Sequence, residues 1–152
     1  MKQDKYQLKS SKSLTVFEFI SESPKERIKK IVQLSETNLK DFYNLGFGDK
    51  NEDSEEIDDT IITNNGDSQK VLETVAATVY AFTEKNPNAW IYATGSNKGR
   101  TRLYRIGIAN YIKEIKKDFE VYGLKEDKWV EFKNGVEYAA FLVKRKNSTF
   151  TL

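Results

Sequence analysis

A chain of 152 residues with 38% hydrophobic and 12% aromatic content can bury a core without staples and is too apolar to stay disordered. Charged residues make up 32% but balance to +2, so general polycation behaviour is excluded and any nucleic-acid contact needs a local patch. The absence of cysteine and histidine removes disulfides, thiolate and imidazole metal sites, and the usual serine and cysteine triads. Carboxylate, Lys, Arg, Tyr, Ser and Thr chemistry remains, with no metal site and no cofactor implied.

Residues 1–13 are polar and lysine-bearing, and no apolar run approaches the roughly 20 residues of a membrane span. The expectation is a cytoplasmic single domain over 1–152 without membrane contact, in which 1–12 form a flexible or edge N-terminus and 147–152 a tail.

The first half reads as strands. Leu14–Ile20 is rich in β-formers and stops at the turn Ser21-Glu22-Ser23-Pro24. Arg27–Glu36 forms a second run, and Asn38–Asp41 connects it to Phe42–Phe47, whose alternation puts Tyr43, Leu45 and Phe47 on one face. Gly48–Glu56 reads as an acidic turn, and Ile57–Thr63 as a fourth strand. Short connections between successive strands predict an antiparallel meander.

A helix follows, with Asp67 or Ser68 as N-cap and Val71, Leu72, Val75, Ala76, Val79, Tyr80 and Phe82 recurring at helical spacing until Asn86-Pro87. Trp90–Thr94 reads as a strand. A second helix is predicted from about Lys98 to Lys117, burying Tyr104, Ile108, Tyr111, Ile112 and Ile115. Phe119–Tyr122, Lys128–Phe132 and Tyr138–Lys144 read as closing strands, separated by turns at Gly123 and Asn134-Gly135. The fold class is α+β: a mostly antiparallel sheet, made of an N-terminal four-strand meander plus later strands, with two helices packed on it.

The segment richest in chemistry is Trp90-Ile91-Tyr92-Ala93-Thr94-Gly95-Ser96-Asn97-Lys98-Gly99-Arg100-Thr101-Arg102-Leu103-Tyr104-Arg105. A strand, a Gly-Ser turn and a helix start bring backbone N–H groups, the positive end of a helix dipole and four cations to one place, which suits an anion. Lys98, Arg102 and Arg105 are spaced i, i+4, i+7 and share a face, while Arg100 lies in the first turn. Cations at a helix N-terminus oppose its dipole by up to about 1 kcal/mol each, so four of them imply acidic partners in the fold or an external anion. The candidate phosphate- or nucleic-acid-binding residues are therefore Ser96, Lys98, Arg100, Arg102 and Arg105. The simpler alternative is a solvated basic face, with Ser96 as N-cap and Gly95 ending the strand.

Glu55-Glu56-Ile57-Asp58-Asp59, with Asn64, Asn65 and Asp67, is a second polar cluster. Such groups can hold Mg²⁺ or act as a base, but a solvated edge with turn chemistry is the better reading, and Asp58 or Asp59 can pair with a helix arginine. Among the tyrosines and tryptophans that could stack on bases, most sit at core phase, and Tyr104 beside the cations is the functional candidate. Tyr104 and Lys98 are also the candidates for proton exchange in a metal-independent ribonuclease, with Arg100 and Arg102 on the scissile phosphate.

Val75-Ala76-Ala77-Thr78-Val79-Tyr80-Ala81-Phe82, Tyr92-Ala93-Thr94-Gly95-Ser96, Arg100-Thr101-Arg102-Leu103-Tyr104-Arg105 and Tyr138–Lys146 together resemble a small family of Bacteroidetes proteins of unknown function. The resemblance spans Phe17 to Lys146 and is most specific at the Gly-Ser…Arg-Thr-Arg-Leu-Tyr stretch. It implies a bacterial setting and no mechanism. The expected partner is a nucleic acid or nucleotide at Gly95–Arg105; a protein-interaction domain with structural arginines is the alternative, and the oligomeric state is open.

Overall fold

The structure, a computed structural model, describes residues 5–24, 26–50, 57–58, 67–95 and 98–146, with the backbone alone at 57–58. They gather into two compact units, Met1–Ser35 with Asn44–Phe82, and Glu36–Tyr43 with Thr83–Leu152.

Strands β1 (Lys9–Ser10), β2 (Val16–Glu22), β3 (Arg27–Glu36) and β4 (Phe42–Lys50) lie in chain order, in the first unit except for Glu36, Phe42 and Tyr43 at the strand ends, and β5 (Ile57–Asp58) pairs with β4. The hairpin β2–β3 runs from Val16↔Gln33 to Glu22↔Arg27, and its turn is closed by Ser23 N–H donating to the Glu26 carbonyl at 3.0 Å. Alternation buries Phe17, Phe19 and Ser21 from β2, and Leu45 and Phe47 from β4, as a one-sided strand requires. In β3 the consecutive residues Lys30, Ile31 and Val32 are all buried, so both of its faces are covered there.

Helix α1 (Ser68–Lys85) buries Val71, Thr74, Val75, Thr78 and Phe82, a stripe at i, i+3, i+4, i+7 and i+11. Burying a valine or phenylalanine contributes about 1.5–3 kcal/mol each. The two threonines neutralise their own hydroxyls by donating back along the helix, Thr74 Oγ1 to the Lys70 carbonyl at 2.8 Å and Thr78 Oγ1 to Val75 at 2.6 Å. Apolar periodicity alone places Leu72, Ala76, Val79 and Tyr80 on this face; they are half-buried at its flanks.

In the second unit, β6 (Trp90–Ala93), β9 (Phe141–Arg145), β7 (Phe119–Lys125) and β8 (Lys128–Glu131) are neighbours in that order, all antiparallel. Helices α2 (Lys98–Asn110) and α3 (Ile112–Asp118) join β6 to β7. Ile91, Phe119, Val121, Phe132 and Phe141 are buried and form the core of this unit.

Several expectations are corrected. The helix predicted over 98–117 breaks at Tyr111, whose φ of −120° and ψ of 18° leave the α region; Tyr111 N–H donates to Ile108 at 3.2 Å in a tightened last turn. Gly48–Lys50 continue β4 and are not a turn. Gly123 is interior to β7, while the β7–β8 turn is Glu126-Asp127, both at positive φ (51° and 63°), which suits a two-residue hairpin. The last strand begins at Phe141, three residues later than predicted. Asn134-Gly135 does form a turn, with Gly135 at φ 81°. The acidic stretch Asn51–Glu56, the rest of the strand predicted to Thr63 (residues 59–63), and Asn64 and Asn65 lie outside the described residues, as do the side chains of Ile57 and Asp58.

Candidate anion-binding site

Strand β6 delivers the chain to Thr94, whose hydroxyl donates to the Ala139 carbonyl at 2.9 Å. Gly95 follows, and its N–H donates to Thr101 Oγ1 at 3.0 Å, folding the strand end against the first turn of α2. A Cβ on Gly95 would lie 2.4 Å from Arg100 Cγ and 2.4 Å from the Thr101 nitrogen, so glycine is needed here for space. Ser96 is outside the described residues.

The four cations do not act from one face. Arg100 is only 3% exposed and starts the buried stripe Arg100–Tyr104–Gly107, spaced i, i+4, i+7. Lys98 and Arg102 are exposed and Arg105 is half-buried. At about 100° per residue, Arg100 and Arg102 point about 160° apart, whereas Lys98, Arg102 and Arg105 fall within about 60° of one another. One phosphate cannot be gripped by Arg100 and Arg102 together; the solvent-facing set is Lys98, Arg102 and Arg105. None of these three forms an ion pair among the described residues. Tyr104, at 7% exposure, is a packing residue of the stripe, away from solvent.

The aromatic residues distribute differently from their expected core phase. In β6, Trp90 and Tyr92 are half-buried and flank buried Ile91; Tyr122 in β7 is half-buried and Trp129 in β8 is 40% exposed. Alternation was the signal available for this face, since Trp90 and Tyr92 are two apart. The Tyr122 hydroxyl donates to Glu120 Oε1 at 2.5 Å, and that bond, more than burial, raises its pKa above 10. Among the described residues no group of three acidic side chains could hold a metal ion, and no helix is long and apolar enough to cross a membrane.

These features define an α+β protein with antiparallel strand pairing and a cationic helix face beside a glycine-tightened strand end. The chain belongs to a family of unknown function, DUF6934, which matches residues 2–146. No curated protein and no solved structure matches it.

Proposed function

We propose that the chain binds a phosphate-bearing partner, a nucleic acid or nucleotide, through Lys98, Arg102 and Arg105. The observation that carries this reading is the presentation of three cations on one helix face without an internal counter-ion among the described residues. Lys98, in the first turn of α2, opposes the helix dipole at a cost that an external anion removes, and Arg102 and Arg105 extend the same face by one and two turns. Arg100 falls outside this set: its burial favours a structural role, in which it anchors the first turn of α2 over Gly95. Tyr104 lies in the same packed stripe, so the proposal is one of binding and not of proton transfer. A bacterial, cytoplasmic setting belongs to the same proposal.

The test is a salt titration of binding to labelled single-stranded and duplex oligonucleotides and to inorganic polyphosphate. Three neutralised phosphates give a log–log slope of about −2 for a single strand. Reversing Lys98 and Arg102 to glutamate removes binding while leaving the melting temperature close to that of the parent. Binding with no salt dependence, or retained by the charge-reversed variant, overturns the proposal.

A further inference from the structure

We infer that the face of the second unit's sheet bearing Trp90, Tyr92, Tyr122 and Trp129 is a stacking platform for the unpaired bases of single-stranded RNA. The strand register puts these residues on one side. Trp90 lies opposite Lys144, Tyr92 opposite Leu142, Leu142 opposite Tyr122, and Leu124 opposite Trp129. The other side carries Ile91, Phe119, Val121 and Phe141, which are buried.

The rings form connected rows. Phe42 and Tyr92 have centroids 6.1 Å apart, Tyr92 and Trp129 6.0 Å in an edge-to-face pair, and Trp90 and Tyr122 6.1 Å. The two rings of the Tyr92–Trp129 pair come from strands separated by β9 and β7, so these side chains lean toward one another over the sheet. Trp129 itself keeps 40% of its surface open on the terminal strand. Rings ordered by one another before ligand arrives lose little entropy on binding, and every base offers a π-face to them.

Charge selects the occupant. Lys144 Nζ sits 5.9 Å from the Trp90 centroid, and Tyr92 precedes Lys98 by six residues, a separation of at most about 22 Å. Lys144 thus puts a cation beside the rings themselves, within reach of the backbone phosphate of a base stacked on Trp90. Glu120 and Glu131 share the platform side with Tyr122 and Trp129. They repel phosphate but accept hydrogen bonds from hydroxyls, and the ribose 2′-hydroxyl is the donor that DNA lacks. A duplex keeps its bases stacked internally and offers none to the platform. This inference rests on the phosphate-binding reading above, to which it adds the class of partner and a second surface.

The experiment follows the fluorescence of Trp90 and Trp129, the chain's two tryptophans, against four probes: an unstructured RNA oligonucleotide, its DNA equivalent, the RNA duplex and inorganic polyphosphate. The expected result is quenching by single-stranded RNA, weaker quenching by DNA, and none by duplex or polyphosphate. Trp129→Ala weakens RNA binding by about tenfold or more, Trp129→Phe by less, and polyphosphate binding is unchanged in both, because neither substitution alters a charge and polyphosphate has no base to stack. RNA affinity unaltered by Trp129→Ala overturns the platform while leaving the phosphate-binding reading in place. Equal losses for RNA and polyphosphate also overturn it. Tryptophan-dependent RNA binding without any polyphosphate binding supports the platform and overturns the cationic reading. DNA bound as well as RNA overturns the assignment to RNA, and no binding to any probe overturns both proposals.

Discussion

Arg100 packs its Cβ and Cγ directly over Gly95, leaving no room for even a methyl group between the end of β6 and the first turn of α2. Gly95→Ala forces backbone or side chain apart, and overpacking of this kind costs about 1–3 kcal/mol. Chemical denaturation should show that loss, with the slope against denaturant unchanged. A Gly95→Ala variant as stable as the parent would show that the strand end relaxes freely.

The two arginines nearest this contact should behave oppositely. Arg100→Ala empties a buried volume and should destabilise by about 2–4 kcal/mol, whereas Arg102→Ala should stay within about 0.5 kcal/mol and weaken anion binding. Thermal melts and binding isotherms on both variants separate the roles. Equal stability of the two would place Arg100 on the surface set.

Lys30 and Asp49 form an ion pair in the first unit with side chains only 5% and 13% exposed. Removing one charge strands the other away from water, and Asp49→Asn should cost about 3–5 kcal/mol. Replacing both, Lys30→Met with Asp49→Leu, should recover most of that loss. A double variant no better than the single one would mean the pair contributes net stability beyond its own desolvation.

Tyr6 ties the N-terminal segment to the start of α1. Its hydroxyl donates to Asp67 Oδ2 at 2.5 Å and accepts from Glu22 N–H at 3.0 Å, and its backbone N–H donates to Thr74 Oγ1 at 2.8 Å. Burial first, and then the hydrogen bond to Asp67, raise its pKa above the ordinary value of 10. The folded state thus holds the phenolic proton more tightly than the unfolded chain. The associated stability is fully present below pH 10 and is lost as pH rises through the folded value. Stability curves between pH 8 and 11 should fall more steeply for the parent than for Tyr6→Phe. Parallel curves would show that ionisation at Tyr6 is not linked to folding.

Much of the frame was legible because local and periodic signals agree. Arg27–Glu36 is a strand with the expected bounds, and α1 starts after Asp67 and ends before Asn86-Pro87, where capping and breaking residues stand. The misreadings have physical causes. Thr74 and Thr78 are polar by composition yet buried, because the helix backbone accepts their hydroxyl protons. Gly123 resembles a turn glycine, but its role is to admit the Tyr138 ring, which a Cβ would meet at 2.3 Å. The break at Tyr111 leaves apolar spacing intact on both sides and so has no periodic signature. At the candidate site, charge placed Arg100 among the phosphate-binding candidates, with a structural role as the alternative; its spacing to Tyr104 and Gly107 was the cue to burial. The Lys30–Asp49 pair joins residues 19 apart and had no local signal.

The ring that Gly123 admits also organises the segment between β8 and β9. The Tyr138 hydroxyl accepts the Lys133 N–H at 3.0 Å, while Ala139 N–H donates to Leu124 at 2.8 Å and Leu124 N–H to Ala140 at 2.9 Å. A stretch without a ladder of its own is thus clasped at both ends, with Gly135 at its tip facing open space. For protein engineering this separates two neighbouring kinds of position. An inserted tag or fused domain at Asn134-Gly135 leaves the clasp shut, whereas the same insertion between Tyr138 and Phe141 opens it and exposes the aromatic core beneath.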